Sequence, residues 1–345
     1  LQGKKMPKRF SEQRKWLQET YRDRAIIEAK RELSDKLSKV STYIYDKWIL
    51  YDGSKDRLID EIVGHSDADI ASVCFLYLKD VNHNVANGHL SRFYSKLISS
   101  SEDDRIDEFV KAVKATAAFY TLWRSVKSTS GLDTVYRRLM RTGKIKDENI
   151  VPPMNWEGPE GSLSSANLKK YFRKVLESEN ISSKDKWMAR ATPGNLTYDT
   201  IKKVCRFCLF VSSHDTIPDD ESPGLMKSGK EGCSPYLMVN KWNSDDLQIE
   251  HIAPSNPPDE SEWDDNLYIE NSYQHIGNLT LLPKNVNISA GNKSLEEKIL
   301  YYQHLGTDDL DKISEIRERA KSKGVELSEK TTDLLKRAEY NDHLR

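Results

Sequence analysis

The stretch from Ile249 to Lys298 constrains this chain more than any other. Two short apolar segments, Ile249–Ile252 and Leu279–Leu282, flank an irregular acidic loop, and Asn287 lies just beyond the second. Each apolar segment is too short for a free-standing helix and reads as a strand. A strand, a loop, a second strand and a helix would bring Glu250, His251, Asn278 and Asn287 into one small space. Asn278 follows His251 by twenty-seven residues, and Asn287 follows Asn278 by nine.

Phosphodiester hydrolysis accounts for that set of side chains. An attacking water must lose a proton, and neutral imidazole is tuned for this near neutral pH. The leaving oxygen and the extra phosphoryl charge call for a hard divalent cation held by oxygen ligands. His251 is therefore the expected general base, with Glu250 and Asn287 as the expected metal ligands. Asn278, the other member of the catalytic set, is expected to hydrogen-bond across the hairpin and fix the His251 ring. Mg²⁺ is the expected ion, with Mn²⁺ or Ni²⁺ as substitutes.

The order acid-His, Asn, then Asn nine residues later resembles the HNH, or ββα-metal, nucleases. The wording IEHIAP…HIGNLTLLPKNVN…GNKSLEEK is similar to the HNH domain of modification-dependent restriction and phage-defence proteins of the GmrSD type. The resemblance covers about fifty residues. It implies a DNA endonuclease in bacterial defence, with His251 as base and Glu250 and Asn287 on the metal. It also implies a nucleotide-binding ParB-like domain upstream. The chain opens on Leu1 rather than Met, which is expected of a piece of a longer protein. One position departs from the pattern: many HNH sites carry Asp or His where this chain has Glu250.

With 345 residues there is room for two or three modules. Hydrophobic residues make up 37% and charged residues 31%, a balance suited to amphipathic helices with solvated outer faces. No apolar run approaches the ~20 residues of a membrane span. Four cysteines in so long a chain are not a disulfide framework, and a reducing cytoplasm is the expected location. Net charge is −1, so attraction to DNA must come from local patches. No GxxxxGK[ST] phosphate loop occurs in the chain.

Helical spacing dominates elsewhere. Ile26, Ala29, Leu33, Leu37, Val40 and Ile44 step by three or four. Residues 4 to 39, which hold most of that face, carry twelve Lys or Arg against six Asp or Glu. A turn is expected at Asp52-Gly53. Asp67 is placed to cap a helix running through Ala71, Cys74, Phe75 and Leu78. Helices are also expected over 88–99, 103–127 and 200–212. The most basic stretch is Arg124 to Lys146, with seven Lys or Arg, Asp133 as its one acid, and Tyr136 interleaved. Its Arg124, Arg137, Arg138 and Arg141, together with Lys293, are the candidate DNA contacts. Cys205 and Cys208, with His214 and Cys233 downstream, have the ligand types of a zinc site. Both cysteines of the CxxC fall on an apolar helix face, where thiols act as small hydrophobes, and that reading is preferred.

The expected fold class is mainly α, a helical array carrying a small ββα-metal module. The expected divisions are a helical domain over 1–150, a linker over 151–161, and a helical connector with a long loop over 162–235. The nuclease module follows over 236–304, and solvated supporting helices over 305–345. Two other functions stay open: a ribonuclease using the same site, and a DNA- or partner-binding scaffold with a silent HNH remnant.

Overall fold

Amphipathic periodicity over most of the chain leads to a mainly α structure. The computed structural model describes residues 9–24, 26–50, 60–99, 103–159, 161–191, 195–222, 225–259, 261, 263–307, 314–338 and 344. The expected Asp52-Gly53 turn lies outside them. The chain divides into two compact units, Leu1–Arg190 and Ala191–Arg345. Among the described residues no helix is long and apolar enough to cross a membrane.

The first unit is helical. It contains α1 (Phe10–Arg22), α2 (Ile27–Thr42), α3 (Ala68–Asp80), α4 (Asn87–Leu97), α5 (Asp103–Arg124) and α6 (Leu132–Arg141). A two-residue hairpin, β1 (Lys144–Ile145) and β2 (Glu148–Asn149), precedes α7 (Ser165–Ser178) and α8 (Lys184–Ala191). A π-helical segment, Tyr43–Ile49, continues α2 and buries Tyr43 and Trp48 against Phe75. Helix α5 is the axis of this unit and packs on α3, α4 and α7. Its small residues Ala112 and Ala117 are fully buried, which lets neighbouring helices approach closely. Phe119 on α5 stacks on Phe172 of α7, with ring centroids 4.2 Å apart.

Asp67 does precede α3, but its side chain caps nothing. It pairs instead with Lys114 of α5 at 2.6 Å, because an ion pair between helices competes for the same carboxylate. The Pro- and Gly-rich 151–161 segment lies within the first unit. Met154 in it is fully buried and donates its N–H to the Leu139 carbonyl at 3.2 Å.

The second unit begins with α9 (Tyr198–Ser213), whose Phe207 and Phe210 pack on Trp242 of α10 (Val239–Asn243). The 213–235 segment, expected to be loop, holds a hairpin of β3 (Thr216–Pro218) and β4 (Met226–Ser228). Asp215 pins its base by accepting from Gly232 N and Ser234 N at 2.9 and 3.1 Å. His214 Nδ1 accepts from Tyr236 N and Leu237 N, which uses that ring in a turn. Cys205 is buried and burial pushes both the Cys205 and Cys208 thiols up to about 12, so both sit as neutral thiols.

Strands β5 (Leu247–His251) and β6 (Leu279–Pro283) form the central antiparallel hairpin, with α11 (Asn266–Ile269) in the connection between them. The register runs Leu247 to Pro283, Ile249 to Leu281 and His251 to Leu279. Helix α12 (Lys284–Ala290) follows β6 without a loop, then α13 (Leu295–Leu305), α14 (Ile316–Ser322) and α15 (Glu329–Arg337). The last two helices are more than solvated supports. Ile316, Ala320 and Leu335 join Leu282, Val286, Leu300 and Tyr301 in one buried cluster. Short amphipathic helices with few apolar residues conceal such a role, because each buries only one or two side chains.

Candidate active site

Strand alternation sets the site's geometry. Successive side chains of β5 point to opposite faces, so Gln248 and Glu250 share one face and His251 takes the other. Helix α12 lies on the Gln248 face, since Asn287 Nδ2 donates to Gln248 Oε1 at 3.2 Å. The hairpin and helix therefore bring Glu250, His251, Asn278 and Asn287 into one ββα unit.

Asn278 closes the hairpin end. Its Nδ2 donates to the Ala253 and Tyr273 carbonyls at 2.9 and 2.8 Å, and its Oδ1 accepts from Ala253 N at 2.8 Å. Its own carbonyl accepts from Ile252 N at 2.9 Å. One amide side chain thus ties both ends of the acidic connection to the residues just after His251.

His251 is half-buried at the end of β5. Its ring meets Tyr198 edge-on at 4.7 Å and lies 6.3 Å from the Tyr273 ring. Burial lowers its proton affinity; the Gln274 side chain works against this, and the Lys298 and Lys202 charges add to it. The imidazole is therefore held neutral at neutral pH. Its Nε2 is closed to solvent and makes no geometrically sound hydrogen bond among the described residues, with the Gln274 side chain acting on the ring from nearby.

Sequence reasoning missed the side chain that dominates the other face. Lys298 of α13 is fully buried and its ammonium donates to Glu250 Oε1 at 2.5 Å and to the His251 carbonyl at 2.8 Å. Glu250 itself is only 5% exposed. Burial raises its proton affinity, and the Lys298 hydrogen bond and charge oppose that rise. One signal was present in the chain: Lys298 interrupts the apolar stripe of Leu295, Tyr301, Tyr302 and Leu305. Among the described residues, no group of three or more His, Cys, Asp or Glu is arranged to hold a metal ion.

Lys293 sits in the turn before α13, where Ser294 Oγ caps the helix by accepting from Glu297 N at 3.3 Å. Lys293 pairs with Glu297 at 3.2 Å. The basic stretch belongs to the first unit. There Arg124 donates to the Lys127 carbonyl at 2.6 Å and Arg137 pairs with Asp133 at 2.9 Å. Arg138, Arg141, Lys144 and Lys146 are exposed. Tyr136 and Trp123 are buried core residues rather than stacking surfaces, because their rings fill the space around α5 and α6.

A comparison with known families bears directly on the hairpin unit. Residues 184–337 match the family model for GmrSD restriction endonucleases, C-terminal domain. That segment is similar to a GmrSD C-terminal domain. No curated protein matches the chain. The GmrSD match contains β5, β6, α12 and α13, and with them Glu250, His251, Asn278, Asn287 and Lys298. It implies nuclease chemistry for the segment that carries His251.

Proposed function

We propose that this chain is an HNH-type endonuclease that hydrolyses DNA phosphodiesters in defence against foreign or modified DNA, in the cytoplasm. The observation that carries the reading is His251 Nε2: a neutral imidazole nitrogen, shielded and without a geometrically sound hydrogen bond among the described residues, at the end of a hairpin that Asn278 locks. In the proposed step, water attacks phosphorus as His251 Nε2 takes one of its protons. The P–O3′ bond breaks and the leaving oxygen collects a proton. The Asn278 latch holds the strand end, so the ring keeps one position through the step.

A divalent ion, Mg²⁺ in this reading with Mn²⁺ or Ni²⁺ as substitutes, would neutralise charge on the leaving oxygen. The donors fit such an ion in type. Glu250 offers the carboxylate oxygen that Lys298 does not hold, and the Asn287 side-chain carbonyl belongs to the same ββα unit. One carboxylate and one amide suit a hard ion that keeps waters and substrate oxygens in its shell. A ParB-like nucleotide-binding domain is the proposed partner, and phosphate contacts from Arg138, Arg141 and Lys293 the proposed DNA attachments.

The test is a plasmid-nicking assay with Mg²⁺, Mn²⁺ or EDTA, comparing wild type with His251→Ala, and a structured RNA run in parallel. Metal-dependent nicking lost in the variant is expected. Cleavage of RNA alone would replace the substrate class, and nicking unchanged in His251→Ala would remove the base from this residue.

A further inference from the structure

Helix α9 brings an exposed cation to the end of the hairpin that carries His251. Lys202 is exposed, and its ammonium lies over the Tyr198 ring, 4.9 Å from the centroid. The same Tyr198 ring meets the His251 ring at 4.7 Å between centroids. One half-buried tyrosine therefore neighbours both the imidazole and the ammonium. The Lys202 charge is among those that act on the His251 ring.

The backbone fastens this arrangement. Thr197, just before α9, pairs with His275 in an antiparallel bridge, and Ile276 N donates to the Leu196 carbonyl at 3.3 Å. Asn278, the latch of the hairpin end, lies two residues further on. The start of α9 is thus tied to the same segment that fixes the strand end behind His251. Ile201 and Val204 are buried, which leaves Lys202 between them facing solvent. An exposed ammonium on a tyrosine face adds little to stability. A nuclease, in contrast, must hold a strand that carries one negative charge per phosphate. Lysine contacts to phosphate set the position of the duplex without reading its bases, and a contact beside the base fixes the phosphate relative to the attacking water.

We propose that Lys202 binds a phosphate of the DNA strand beside His251 and holds the strand there for attack. This rests on the reading of the hairpin unit as a nuclease. The contact does not require an unpaired Lys202. Asp199, its neighbour on α9, accepts from the Thr200 hydroxyl at 3.4 Å, and an exposed ion pair is so weak that a phosphate replaces it readily.

Duplex DNA binding is followed against salt in EDTA, with the full chain as wild type, Lys202→Met, Lys202→Arg and Lys203→Met. Lys203 is the exposed neighbour on α9 and serves as the control. Removing one phosphate contact makes the salt slope shallower by about one. That change is expected for Lys202→Met, whereas Lys202→Arg and Lys203→Met should keep the wild-type slope. Lys202→Met is also expected to raise KM for Mg²⁺-dependent plasmid nicking several-fold and to keep most of the turnover, since it removes binding and leaves the base. Equal slopes in wild type and Lys202→Met overturn the proposal. So does an equal loss in Lys203→Met, which would make α9 a diffuse positive surface. A fall in turnover with slope and KM unchanged overturns it as well, since Lys202 would then act only through the imidazole. Binding in EDTA needs no cleavage. A chain that shows the Lys202-dependent slope but never nicks therefore loses the nuclease reading and keeps this contact. Nicking that His251→Ala abolishes, beside equal slopes, keeps the reading and removes the contact.

Discussion

At the scale of single residues, the site rests on two polar side chains that the fold spends on opposite tasks. His251 keeps a neutral ring, whereas Lys298 has none of its charge exposed. Replacing His251 with Ala is expected to slow nicking by roughly 10²–10⁴-fold, the usual cost of losing a general base, with an unchanged far-ultraviolet spectrum. Lys298→Met has a different expected outcome. It leaves Glu250 buried and charged with no partner, and breaking a buried pair in this way typically costs about 3–5 kcal/mol. Urea unfolding should show the loss, and Glu250→Gln/Lys298→Met should recover most of it. If the single and double variants unfold at the same urea concentration, the pair contributes nothing and the tight Lys298 contact has another purpose.

At the scale of elements, the hairpin shows what a sequence can and cannot convey. The strand–loop–strand–helix order was legible because its cues are local: two apolar segments, Asn278 at the head of the second, and a cap at Ser294 four residues before Lys298. The main helices were legible by periodicity, as α3 and α5 show. The Lys298–Glu250 contact was not, because its partners are 48 residues apart and no local spacing encodes such a meeting. Hairpin β3–β4 escaped for another reason: three-residue strands ending at Pro218 and Ser228 are too short to show alternation. The burial of Tyr136 is a tertiary fact, set by which helices happen to cover it. The element-level prediction concerns the latch. Asn278→Ala strips the partners from the Ala253 N–H and carbonyl, and Ala253 is 1% exposed. Two orphaned backbone groups at about 1–3 kcal/mol each should loosen the hairpin. Amide exchange at Ile252 and Ala253 should quicken, and extra Mg²⁺ should not restore cleavage. Asn287→Ala, by contrast, should regain part of its activity as Mg²⁺ or Mn²⁺ is raised. Equal rescue of both variants would show that the two asparagines do not divide the work in this way.

At the scale of the whole molecule, pH should act strongly on the helical unit through two histidines that its core keeps neutral. His83 donates to or accepts from the Tyr136 hydroxyl at 2.8 Å, and His89 meets Thr116 Oγ1 at 2.9 Å. Burial brings both rings down to about 3, and for His89 the neighbouring His83 adds to the effect. In the unfolded chain each should titrate near 6.5. Between those values the unfolded state holds a proton that the folded state refuses, so stability falls as pH falls below 6.5 and levels off only near 3. Each such histidine contributes a slope of about 1.4 kcal/mol per pH unit over the steep part of that window. His89→Phe isolates one of them. The ring can keep its place against Tyr136, and Thr116 retains its bond to the Ala112 carbonyl at 2.7 Å. Urea midpoints for the full chain, measured from pH 7.5 to 4.5, should fall for both proteins, but more steeply for wild type. The difference should grow steadily below pH 6.5 and be flat above it. A difference between the two proteins that stays constant across the whole range would mean that His89 is as readily protonated inside the folded helices as outside them.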